Sequence, residues 1–119
     1  MPVSNENIGS RPYLVIPETH DAGAITAAYW PPSSPTSGLT GIGAVMRPVL
    51  VKAGHVAARH HHEFEQFLFV SSGGGQLECE AGSIPLRPGT ALHLPAGAWH
   101  AAVFDSNTVL IELNLHPQT

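Results

Sequence analysis

Eight histidines stand among 119 residues, and three of them, His60, His61 and His62, are consecutive. Histidine is the commonest metal ligand and the usual proton carrier near neutral pH. The tract lies mid-chain, so it is not a purification tag. The stretch around it reads Gly54, five residues, His60, one residue, His62, three residues, Gln66, six residues, Gly73. Residues an even number apart on a strand point to the same side, so His60, His62 and Gln66 are expected on one face. Two imidazoles and an amide oxygen converging in this way suit a divalent ion, and burying them without one would be costly. His61, Glu63 and Glu65 have the opposite parity and are expected outside, solvated or paired with Arg59. Glu65 turning inward in place of Gln66 is the alternative ligand arrangement. The His62-to-Gln66 run is not a helical zinc-protease motif, because its fifth residue is Gln66 and not histidine.

A second stretch reads Gly89, five residues, Pro95, one residue, Gly97, two residues, His100. Pro95 and Gly97 predict a tight turn leading into the strand that bears His100. A ligand from so distant a strand completes the site only if the sheet closes on itself, as in a barrel.

The elements that must hold these groups are short strands. Twelve glycines and eleven prolines leave little room for long helices. Strands are predicted at Gly43 to Val51, Glu65 to Ser71, Gln76 to Ala81, Ala91 to Leu94, Trp99 to Phe104 and Thr108 to Leu115. Turn residues separate them, at Ser72 to Gly75, Ala81 to Ser83, Arg87 to Gly89 and Asp105 to Asn107. Such a pattern predicts an all-β sandwich or barrel. The triple glycine after Ser72 lacks the strand-turn-helix setting of a phosphate loop and is read as a hairpin turn. The Pro31–Gly38 segment (PPSSPTSG) is a loop by composition.

The length allows one domain with one core. Hydrophobic residues make up 43% and charged residues only 12%, so the surface is rather apolar, which favours an oligomer. Nine acids against five bases give a net charge of −4. No basic patch marks a nucleic-acid partner. A single cysteine, Cys79, permits no intrachain disulfide and fits a reducing compartment. No secretion signal and no membrane span is read from the sequence, and the expected location is the cytoplasm.

At its two motifs the chain resembles the cupin superfamily. That family's first motif is a glycine, five residues, His-x-His, three or four residues, a glutamate, six residues and a glycine. Every spacing recurs here, with Gln66 in the glutamate's place. Its second motif is a glycine, five residues, Pro-x-Gly, two residues, a histidine, three residues and an asparagine. It recurs through His100, with Phe104 in place of the asparagine. The resemblance implies a single-domain double-stranded β-helix, or jelly-roll barrel, over residues 41–119, with residues 1–40 as an N-terminal arm and loop packing on it. It also implies a homodimer and one divalent ion (zinc, iron, nickel or manganese) held by His60, His62, Gln66 and His100.

An amide at position 66 cancels no charge. The site would keep its dipositive charge, acidify a bound water and favour an anionic, chelating substrate. Some cupins with glutamine at this place are non-redox enzymes that open or isomerise unsaturated uronic acids. A weaker resemblance to ureidoglycolate-cleaving lyases, at Glu65-Gln66-Phe67 and Trp99-His100, points the same way. The expected function is therefore Lewis-acid chemistry on a small oxyanion or sugar acid, of lyase or isomerase type. The alternatives are an Fe(II) dioxygenase and a non-catalytic binding module. No catalytic residue beyond the ligands is identified. Arg47 (as a carboxylate binder), His93, Phe104 and Tyr29 are the candidate pocket residues. His55 and His93 could move protons, although rim positions are the plainer reading for both.

Overall fold

The computed structural model describes residues 26–30 and 38–116. The Pro/Ser-rich loop, except for Gly38, and most of the expected arm lie outside the described residues. Among the described residues nine strands follow in order: β1 Leu39–Thr40, β2 Ala44–Val51, β3 Val56–His60, β4 Glu65–Ser72, β5 Gly75–Cys79, β6 Gly82–Leu86, β7 Ala91–Leu94, β8 His100–Phe104 and β9 Thr108–Leu115. They form two antiparallel sheets. One has five strands in the order β1-β2-β9-β4-β7, and the other four in the order β3-β8-β5-β6. This is the all-β jelly roll that the sequence predicts. Among the described residues no helix is long and apolar enough to cross a membrane.

Apolar side chains from the two inner faces form the core, with Val70, Leu77, Leu86, Ala102, Phe104 and Leu110 at its centre. In β9, buried Leu110, Glu112 and Asn114 alternate with half-buried Ile111, Leu113 and Leu115. The period of two aims Leu110 into the core, and two polar groups follow it inward.

Four strands went unpredicted or were misplaced. β3 carries two alanines and β6 contains Pro85, both weak strand formers. Each is tolerated because β3 and β6 are the two edges of their sheet, where a missing ladder donor costs least. β1 is only two residues long and pairs with Val45 and Met46. The strand expected at Gln76 to Ala81 instead runs over Gly75–Cys79 and turns back through Glu80 and Ala81.

The triple glycine is not a hairpin turn. β4 and β5 belong to different sheets, so Gly73 to Gly75 carry the chain across the sandwich at a crowded corner. A Cβ on Gly75 would lie 2.0 Å from the Val103 carbonyl oxygen, and one on Gly73 would lie 2.2 Å from that of Asn107. Glycine is required there because neighbouring backbone occupies the side-chain volume.

Candidate metal centre

The histidine site starts from strand pairing. β3 and β8 run antiparallel with His60 directly opposite His100. Just before β8 the chain turns through Gly97, whose φ is +83°, and the Gly97 N–H donates to the His62 carbonyl at 2.7 Å. The second motif thereby pins the first. Ring centroids lie 4.3 Å apart for His60 and His100, 5.0 Å for His60 and His62, and 5.2 Å for His62 and His100. One ring nitrogen from each falls within 4.8 Å of the others, and no carboxylate of the described residues joins the cluster.

The hydrogen bonds decide which nitrogens face the cluster. His60 Nδ1 lies 2.6 Å from the Ala58 carbonyl, and His100 Nδ1 lies 3.2 Å from the Ala98 carbonyl. A carbonyl can only accept, so each Nδ1 carries the proton and donates. In the neutral ring Nε2 is then a bare lone pair. This is how metal-binding imidazoles are ordinarily held, and the donor set fits a divalent ion. His62 is buried and stacks on Phe64, with centroids 5.0 Å apart and planes at 18°. Phe64 in turn meets His116 at 5.6 Å. His116 is exposed overall, but desolvation of its covered part lowers its pKa below the ordinary histidine value.

Gln66 approaches from the opposite sheet, so the three first-motif residues do not share one face of one strand. The chain leaves β3 at His60 and enters the other sheet in β4, and the site forms between the sheets. Gln66 is 1% exposed and lines the same cavity as His60 and His100. Its Nε2 donates to Asn114 Oδ1 at 2.8 Å. Closure of the sandwich is thus what brings in Gln66, whereas His100 arrives simply as the neighbour of His60 across one ladder.

The other candidates separate clearly. Phe104 lines the cavity wall. Arg47 is buried, with Nε 3.3 Å from Glu112 Oε1 and side chains 5% and 0% exposed. It is therefore committed to a carboxylate of its own chain rather than offered to a substrate. A buried pair of this kind is worth little over an apolar pair of the same shape, but breaking it is severe. His93 lies on the outer side, 2.6 Å from Glu65 and stacked on Phe67, away from the main cavity. It borders instead a second hollow of about 260 Å³ beside Cys79 and Trp99. Tyr29 is 80% exposed and lines neither cavity. His61 and Glu63 face outward as their parity predicts, 3.5 Å apart. Arg59 pairs with neither Glu63 nor Glu65; its guanidinium lies 3.8 Å from the Trp99 ring centroid.

The sequence reading missed Glu112 and Asn114. Their signal was present: two polar residues at alternate positions of the otherwise apolar run from Val109 to Leu115.

The sequence matches the family described as Cupin domain over residues 49–115, more than half of its length. The chain belongs to the cupin domain family. Solved cupin structures agree with the fold. The structure of KdgF from Halomonas sp. is 27% identical with a TM-score of 0.59, over 64% of this chain and 72% of that one. A cupin superfamily protein from Desulfitobacterium hafniense aligns at 14% identity and a TM-score of 0.60, over 66% and 72%. Ectoine synthase from P. lautus aligns at 21% identity and a TM-score of 0.59, over 66% of this cupin and 57% of the synthase. A search of curated proteins finds no match.

Proposed function

We propose that this cupin is a metal-dependent enzyme that acts on a small organic anion, by lyase or isomerase chemistry. The observation that carries the reading is the three-imidazole cluster, with two Nδ1 atoms committed to backbone carbonyls and Gln66 on the same cavity. A bound divalent ion would supply Lewis acidity toward carboxylate and carbonyl oxygens. His60, His62, Gln66 and His100 would hold it as four neutral donors, leaving its positive charge to attract an anion. The exposed basic side chains that line the cavity, Lys52, His55 and Arg59, add attraction of the same sign. The fold supports such a role, since one fold relative is named as a synthase, but a fold leaves the reaction open.

The test is turnover of 2-hydroxy and 2-oxo acids by protein loaded with zinc, nickel or manganese, followed by NMR beside an oxygen electrode. Isomerisation or elimination without oxygen uptake is expected. Oxygen consumption by the Fe(II) form would transfer the protein to the dioxygenase class.

The neutral amide predicts a further outcome. Gln66→Glu should keep the ion yet weaken binding of oxalate about tenfold, or ~1.4 kcal/mol, as titrated by calorimetry. Equal or tighter oxalate binding would remove the charge argument.

We also propose a homodimer formed through the outer face of the five-stranded sheet. Leu50, Phe67, Phe69 and Met46 are exposed there, and the strand registers place Pro48, Ile111 and Leu113 among them. So broad an apolar face suits burial against a second copy. Light scattering should return the dimer mass for the native chain and a smaller mass for Phe69→Glu. A monomeric native chain would exclude it.

A further inference from the structure

The cavity has a shape and lining that narrow the ligand. It encloses about 500 Å³ between the sheets. One seam of the sandwich, between the end of β2 and the edge strand β3, contributes Val49, Val51 and Lys52 on one side and His55, Ala57 and Arg59 on the other. Lys52 and His55 are exposed and mark the lip, Arg59 is exposed beside His60, and Leu77, Leu86, Ala102, Phe104 and Leu110 are buried and form the inner wall. The His55 ring lies 6.3 Å from that of Phe104. Phe104 and His100 are the two ends of β8, about 13 Å apart at ~3.3 Å per residue. The slot is therefore elongated, with imidazoles at one end and the His55–Lys52 lip toward the other.

Its chemistry is divided. Between the imidazole end and the lip the wall is hydrocarbon apart from Gln66 and Glu112, and these are already bonded to Asn114 and Arg47. The hydroxyls of a sugar acid would lose water there and find few partners. A hydrocarbon body would lose nothing. The lip is basic, and Glu112, fully buried, is the one acid on the lining, so the charge that complements the lip is negative.

We infer that the slot takes an amphipathic organic acid, with its hydrocarbon body along the Phe104–Leu110 wall and its carboxylate at Lys52, beside His55. This deepens the proposed function by naming its substrate class. It rests on that reading for the chemistry at the imidazole end, where an oxygen substituent of the ligand would meet the ion, but the binding itself needs no metal.

The experiment is calorimetric titration of the full-length, metal-free protein with octanoate, octanol and galacturonate, with metal content measured separately. Octanoate should bind at least tenfold more tightly than either galacturonate or octanol. In the Lys52→Ala/His55→Ala variant, whose two sites are exposed, octanoate should fall to the affinity of octanol. Galacturonate binding as tightly as octanoate would overturn the inference, as would an octanoate preference that survives in the variant. No octanoate binding, as when another part of the chain or a second copy fills the slot, would overturn it too. Failure of the metal reading is seen separately, as protein that takes up no ion when offered a divalent metal while octanoate still binds.

Discussion

One ladder of hydrogen bonds, between β3 and β8, underlies the whole site, because its register sets His60 opposite His100. A slip of β3 by one residue would send the His60 imidazole to the outer face. Two backbone devices guard the register from either end. At one, the Gly97 N–H meets the His62 carbonyl. At the other, the Gly54 N–H donates to the Phe104 carbonyl at 2.7 Å while the Phe104 N–H donates to that of His55 at 3.0 Å. Gly54 and Gly97 both have positive φ, which side-chain-bearing residues seldom adopt. The glycines of the two motifs are thus parts of the clamp that aligns the ligands.

The opposite sheet contributes polarity where a core would ordinarily be apolar. Gln66, Arg47, Glu112 and Asn114 are all buried on its inner side and pair across the strands, Gln66 with Asn114 and Arg47 with Glu112. Ladder geometry explains the partners, because Asn114 sits opposite Gln66 and Glu112 opposite Arg47 in the register. A satisfied network of this kind fixes side-chain orientation more than it adds stability. For Gln66 the consequence is specific: with its NH2 donating to Asn114, its carbonyl oxygen is the donor atom it has left to offer an ion.

Much of this was readable in advance, for identifiable reasons. The histidines, the two motif turns and five of the six predicted strands follow from spacing, from glycine and proline placement, and from apolar alternation. The origin of Gln66 was misread, because even parity along the chain cannot show that a bend between His60 and Glu65 transfers it to the other sheet. Arg47 was read as a substrate binder because a cation in a strand has no visible partner until its cross-strand neighbour is known; Glu112 lies 65 positions away. The triple glycine looked like a turn, and the backbone that crowds it comes from β8 and the start of β9, out of reach of any local pattern. β3 escaped notice because an alanine-rich edge strand carries little signal of its own.

Three imidazoles aligned by one ladder form the proposed metal centre. Elemental analysis of protein purified without added metal, beside His60→Ala/His100→Ala prepared identically, tests it most directly. About one divalent ion per native chain is expected, with a loss of at least ~10-fold in the variant and the β-sheet circular dichroism unchanged. Native protein that stays empty when offered zinc, nickel, manganese or iron, or a folded variant that keeps its full complement of metal, would contradict it.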